Sequence, residues 1–292
     1  MILDLLKALL YGILEGVTEW LPVSSTGHLI LLSELLTFET VTALPSETAE
    51  AYLSLFEVVI QLGAILAVLC RFFRSLNPLS HQRGVERSSV LRLWRNLLFA
   101  SLPAALMGLL LDRVLTALTG KGIDGHLFRP QVVAATLILY GILFLLPEPK
   151  AGRHETDDPS DLTLPQALGI GLFQTLALIP GTSRSGSTIL GARTLGVSRK
   201  GATEFSFLLG VPAIGGASAL KLLDFFDFLK RTDATIPLGA WGLLLLASVT
   251  AFAVSLGVIG FLTDFVKKHS FAPFGIYRIL LGALIVLLCF LF

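Results

Sequence analysis

Six apolar runs, near 50–70, 94–112, 131–147, 201–222, 237–262 and 272–292, constrain this chain more than any other feature. Each approaches the roughly 20 residues that a helix needs to cross about 30 Å of hydrocarbon. Backbone N–H and C=O groups find no water at that depth, so they must pair within the segment, as a helix allows. The 131–147 run is short at its edges and stops at Pro147. Only 15% of residues are charged, against about 25% in soluble domains. The expectation is an all-α, polytopic membrane protein with one membrane domain spanning residues 1–292. The net charge of +1 offers no bulk attraction to nucleic acid, so no nucleic-acid partner is expected. Cys70 and Cys289 lie in apolar runs without metal-ligand spacing and read as inert filler. The first residues lack a basic n-region and an Ala-x-Ala site, so they are expected to belong to the mature chain.

Two further segments, 1–36 and 163–195, are apolar at both ends and polar in the middle. The first holds Glu15-Gly-Val-Thr-Glu19-Trp-Leu-Pro22-Val-Ser24-Ser25-Thr26-Gly27-His28, and the second holds Pro180-Gly-Thr-Ser183-Arg184-Ser-Gly-Ser-Thr188. Charges at membrane depth are costly and usually functional. Proline removes a backbone donor and breaks a helix, and broken backbone is tolerated there only inside protein or around a cavity. Both segments are therefore expected to be re-entrant helix–loop–helix hairpins. With the six spans they divide the chain into repeats of about 1–147 and 163–292, each a hairpin plus three spans. Leu21-Pro-Val-Ser-Ser25 echoes Ile179-Pro-Gly-Thr-Ser183. Three spans per half invert the second half relative to the first, an architecture that places its site between the halves.

Lys and Arg favour the cytoplasmic side. Loop 34–57 carries Glu34, Glu39, Glu47, Glu50 and Glu57 and no basic residue, whereas 71–95 carries Arg71, Arg74, Arg83, Arg87, Arg92 and Arg95. Placing 34–57 outside puts 148–163, 193–200 and 264–270 inside. The tally is then 13 basic residues inside against 6 in the outer loops.

Glu15 and Glu19 are spaced i, i+4 and share a helix face about 6 Å apart. Two carboxylates that close call for a cation or a shared proton, unless they are an interfacial snorkelling pair. Mg²⁺ or Ca²⁺ suits such ligands, and Mg²⁺ commonly takes one or two carboxylates plus substrate phosphates. Ser25 and His28 are spaced i, i+3, the minimum geometry for a base activating an oxygen nucleophile. The alternative is Ser24 as a helix N-cap with His28 a satisfied buried histidine. In the second island Gly181 and Gly186 admit a ligand close to the backbone. Thr182, Ser183, Ser185, Ser187 and Thr188 offer hydroxyls, and Arg184 offers a guanidinium fork for phosphate oxygens. A helix beginning near Ser185 would present its positive end to an anion. Glu57 and Gln61, also i, i+4, either support the first hairpin or line a helix interface. His81, His126, His154 and His269 fall in loops and read as solvated.

These motifs resemble the bacterial undecaprenyl-diphosphate phosphatase family, the integral membrane type associated with bacitracin resistance. The resemblance also runs through Phe56-Glu-Val-Val-Ile-Gln-Leu-Gly63 and Glu204-Phe-Ser-Phe-Leu-Leu209 and covers nearly the whole chain. Glu15 and Glu19 fill the family's Glu-x-x-x-Glu motif, and Pro180 through Thr188 fill its Pro-Gly-x-Ser-Arg-Ser-x-x-Thr motif. The resemblance implies an interdigitated inverted repeat with its site open to the periplasm, lined by Glu15, Glu19, Ser25, His28, Ser183, Arg184 and Thr188. It implies hydrolysis of a long-chain polyprenyl diphosphate to the monophosphate and phosphate in the bacterial inner membrane, among membrane lipids. On this view Ser183, Ser185, Thr188, Gly181 and Gly186 bind substrate. Glu15 and Glu19 hold a divalent cation, Mg or Ca, and Ser25, His28 or water attacks. Paired hairpins in an inverted repeat also fit an anion transporter or lipid flippase. The sequence leaves a homodimer open.

Overall fold

The computed structural model describes residues 2–78, 86–147 and 155–291. Arg83, His81 and His154 lie outside the described residues, as do Lys150 and Arg153, two of the basic residues counted in 148–163, whereas His126 and His269 belong to exposed segments. Ten long helices build the described residues: α1 Ile2–Thr18, α2 Ser25–Leu35, α3 Ser46–Arg71, α4 Arg87–Thr119, α5 Pro130–Leu145, α6 Leu164–Gln174, α7 Arg184–Thr194, α8 Arg199–Thr232, α9 Leu238–Lys268 and α10 Ala272–Leu291. Strand pairing among the described residues is confined to an isolated bridge between Thr156 and Val197. The chain is an all-helical, multi-pass membrane protein.

Among the described residues five helices, α3, α4, α8, α9 and α10, are long and apolar enough to cross a bilayer. The expected sixth span is α5, whose 16 residues reach only about 24 Å at a 1.5 Å rise. It falls short of the hydrocarbon thickness and does not qualify by length. Conversely, α4 and α8 run for 33 and 34 residues, well past the apolar runs 94–112 and 201–222. They absorb parts of the loops 112–130 and 221–236. Hydropathy marks where hydrocarbon begins and ends; a helix whose backbone bonds are already formed has no reason to stop there.

Local signals explain the helix ends. Thr163 and Gln166 form a reciprocal capping box at the start of α6, satisfying two donors that the first turn leaves free. Ser198 caps α8 through the Gly201 amide. Gly120 ends α4 at φ 73°, a conformation that costs glycine little.

Packing crosses between the first and second halves of the chain. α1 lies along α9, α6 along α4, α3 against α8 and α9, and α5 beside α10. A Cβ on Gly12 or Gly16 of α1 would collide with the carbonyls of Ala247 and Ala251 on α9, and one on Gly171 of α6 would strike the Ala100 carbonyl of α4. Small residues at such contacts let helices approach closely where lipid and protein are equally apolar. Trp20, Phe205, Phe207 and Ile189 belong to one buried apolar cluster, in which Trp20 meets Phe207 edge-on. Leu106, Leu245 and Leu280, by contrast, are each about two-thirds exposed on the outer helix faces (64%, 66% and 65%).

Candidate active site

The first island is the turn between α1 and α2, and the second is the turn between a 3-10 segment, Thr175–Leu178, and α7. Both meet inside the protein. A small cavity of about 120 Å³ is lined by Glu19, Ser24 and Ser25 from the first turn and by Gly181, Ser183 and Arg184 from the second; Gln61 of α3 also borders it.

Glu19 joins the two turns. Its Oε2 accepts from Ser25 Oγ at 2.6 Å. Its Oε1 accepts from Arg184 Nη2 at 3.0 Å and Nε at 3.3 Å. The ion pair is nearly dry, with side-chain exposures of 7% for Glu19 and 13% for Arg184. Arg184 is also held by the Ser206 carbonyl at 2.8 Å, and its guanidinium carbon lies 5.8 Å from the centre of the Trp20 ring. A buried guanidinium with several partners is fixed in direction as well as charge.

The two turns share one construction. Ser24 and Ser183 have φ of 74° and 73°, uncommon for any residue but glycine and concentrated at functional sites. Each is an N-cap: Ser24 Oγ accepts from the Gly27 amide at 3.2 Å and Ser183 Oγ from the Gly186 amide at 3.1 Å. Ser24 therefore corresponds to Ser183, whereas the sequence echo had aligned Ser25 with Ser183. The second turn has one residue more between its proline and the strained serine, and Gly181 takes a φ of 86° there.

Four other expected residues, Ser185, Thr188, Glu15 and His28, are not among those lining the cavity. Ser185 Oγ donates to the carbonyls of Glu19 at 3.3 Å and Leu21 at 3.2 Å, tying one turn to the other. Thr188 is fully buried, with its hydroxyl 2.8 Å from Ser206 Oγ. Glu15 is fully buried below Glu19, and neither of its carboxylate oxygens has a hydrogen-bond partner. His28 does not meet Ser25. Its Nδ1 lies 2.7 Å from the Ser24 carbonyl and its Nε2 lies 2.6 Å from the Tyr277 hydroxyl. This is the arrangement of a capped turn with a satisfied buried histidine.

Two residues of α10 escaped the sequence reading. Tyr277 holds His28, and Arg278 clasps both turns. Arg278 is completely buried. It donates to the Pro22 carbonyl at 3.1 Å and to the carbonyls of Gly181 and Thr182 at 2.8 Å each. Tyr140 and Phe144 of α5 cover its guanidinium at 5.5 and 5.9 Å. The signal was present: Arg278 is a lone cation in an apolar run, the criterion that singled out Arg184.

The family described as Bacitracin resistance protein BacA matches residues 8–284. The chain belongs to this family. Its relatives include the undecaprenyl-diphosphatase of Enterococcus faecalis, 44% identical over 98% of this chain and 97% of that protein. The undecaprenyl-diphosphatase 1 of Clostridioides difficile is 44% identical over 99% and 98%. That of Streptococcus mutans is 46% identical over 97% and 95%.

Proposed function

We propose that this chain hydrolyses undecaprenyl diphosphate to undecaprenyl phosphate and inorganic phosphate, recycling the lipid carrier for cell-wall polymers and conferring bacitracin resistance. The observation that carries the reading is the Glu19 carboxylate, which joins a hydroxyl from one turn to a guanidinium from the other at the wall of a small cavity. Relatives of near-identical length that share more than two-fifths of its residues bear the name of that activity.

Phosphoryl transfer needs positioning and charge stabilisation more than elaborate chemistry. Arg184 and the cavity hydroxyls hold the terminal phosphate. Ser25 Oγ attacks its phosphorus in line while Glu19 takes the hydroxyl proton. The bond from that phosphorus to the bridging oxygen breaks, and the lipid monophosphate leaves. Water then attacks the phosphoserine, releasing inorganic phosphate and restoring Ser25. The polyprenyl tail stays in lipid against apolar surface such as Ile179, which borders the cavity and is partly exposed.

A divalent cation, Mg or Ca, belongs to the same reading. Glu15 supplies two buried oxygens without partners, which suits a cation. Among the described residues no three His, Cys, Asp or Glu side chains converge, so Glu15 and Glu19 would hold it with phosphate oxygens and water completing the shell. When bound, it would screen the negative charge of the diphosphate.

The finer architecture is six spans and two re-entrant hairpins in an inverted repeat of about 1–147 and 163–292, with α5 a shortened span. Its support is the exchange of partners, α1 on α9 as α6 on α4, and the shared construction of the two turns. The protein would sit in the bacterial inner membrane with its site open to the outer side, as the acidic start of α3 and the basic residues after it suggest. The test is phosphate release from a polyprenyl diphosphate by detergent-purified protein. Release that is lost in Glu19→Gln and Arg184→Ala supports the enzyme. Lipid movement across vesicles without phosphate release would replace it with a carrier. A Ser25→Ala variant that keeps full turnover would assign the attack to water.

A further inference from the structure

We infer that His28 is a positioning residue that holds the strained Ser24, and that it does not act as the base or nucleophile of the reaction. The inference rests on the phosphatase reading and concerns the roles within it.

A carbonyl oxygen only accepts, so the 2.7 Å contact to the Ser24 carbonyl puts a proton on Nδ1. Nε2 of the neutral ring is then the acceptor, and the Tyr277 hydroxyl occupies it at 2.6 Å. The two rings lie nearly parallel, at 7°. Both ring nitrogens are spoken for, and the imidazole is not part of the cavity wall. The proton of Ser25 Oγ points to Glu19 instead.

The second turn shows what a side chain at this position does. His28 follows Ser24 by four residues, and Ser187 follows Ser183 by four. Ser187 Oγ donates to the Ser183 carbonyl at 3.1 Å, as His28 Nδ1–H donates to the Ser24 carbonyl. Serine at that position cannot serve as a base, yet it makes the same bond. At the first turn the His28 amide is 3.4 Å from the Ser24 carbonyl, a long helical bond, and the imidazole supplies the stronger one. A residue at positive φ persists only where its surroundings over-determine it. Here the determinants are the Gly27 amide on Ser24 Oγ and the imidazole on its carbonyl. Together they aim the next residue, Ser25, at Glu19. Tyr277 fixes the imidazole from α10, directly beside Arg278, which holds the rest of the turn.

Asparagine separates positioning from catalysis, because its side-chain N–H₂ can take the place of Nδ1–H but cannot accept a proton. Phosphate release from a polyprenyl diphosphate is measured for wild type, His28→Asn, His28→Ala and Tyr277→Phe, with kcat/KM followed across pH and folding followed by thermal melting. Loss of a general base costs about 10²–10⁴-fold. The expected result is that His28→Asn keeps kcat within about tenfold of wild type and retains the wild-type acid limb, while Ala loses clearly more. Tyr277→Phe should lie between wild type and Ala without moving that limb. A folded His28→Asn protein as inactive as Ala, or one that loses the acid limb, overturns the inference. A wild-type protein that releases no phosphate would sink the phosphatase reading itself, a distinguishable failure.

Discussion

At the first turn the residue after the strained serine is Ser25; at the second it is Arg184. Each opens a helix, and each reaches the Glu19 carboxylate, the hydroxyl at Oε2 and the guanidinium at Oε1. The backbone beneath them is nearly the same, with φ of 74° and 73° and a capping bond to a glycine amide three residues on. One local construction therefore serves two tasks. On the first turn it presents a hydroxyl, and on the second a guanidinium. The difference lies in one side chain rather than in the frame, so substitutions at Ser25 and Arg184 should disturb chemistry while substitutions in the frame should disturb geometry and stability.

The largest expected effect follows Arg184→Ala, which removes the cation and leaves Glu19 buried without its partner. Loss of one such charge-stabilising group costs about 10²–10³-fold in kcat, read from initial rates of phosphate release. Breaking a buried ion pair from one side also destabilises by about 3–5 kcal/mol, so melting should fall in parallel. Glu19→Gln should cut turnover by about 10²–10⁴-fold if Glu19 takes the Ser25 proton. The amide oxygen can still accept from Ser25, but its N–H₂ then faces the Arg184 guanidinium and the buried pair is broken from the other side, so the melting midpoint should fall by an amount comparable to that of Arg184→Ala. Equal rates for Gln and wild type would break the pairing of the two turns through this carboxylate.

Arg278→Met tests the frame shared by both turns. It strips donors from three carbonyls, at Pro22, Gly181 and Thr182, and each buried acceptor left unpaired costs about 1–3 kcal/mol. Stability should fall more than in any single-hydroxyl variant, with Lys restoring part of it. The smallest effect belongs to Thr188→Val. Its hydroxyl bonds within α7 and to Ser206 of α8, so the loss should be that of about one hydrogen bond, 0.5–1.5 kcal/mol, with kcat reduced by less than about tenfold. A loss as large as that of Arg184→Ala would return Thr188 to the substrate.

Much of this was legible in the sequence. Polar residues stand out against an apolar chain, and proline marks where helices break, so both turns and a single site between the halves followed from hydropathy and charge, whereas the direct ion pair of Glu19 with Arg184 did not. The register did not. Pro22 precedes its strained serine by two residues and Pro180 by three, so matching the prolines misaligns the serines. The Ser25–His28 spacing suggested a shared face, but Ser25 is the first residue of α2 and His28 turns back to the carbonyl that precedes it. Nothing in the local sequence announces Tyr277, whose partner lies 249 positions away. Span lengths were approximate because apolar composition tracks lipid contact, whereas α4 and α8 continue past their apolar runs and α5 stops early.

The most direct test of the central claim, that the two turns form one site through Glu19 and Arg184, is a double-mutant cycle on kcat/KM with Glu19→Asp and Arg184→Lys, variants mild enough to leave measurable rates. Residues that act as a unit are non-additive, so the account predicts a double variant within about threefold of the worse single variant. Losses that multiply across the cycle would show two independent sites and contradict it.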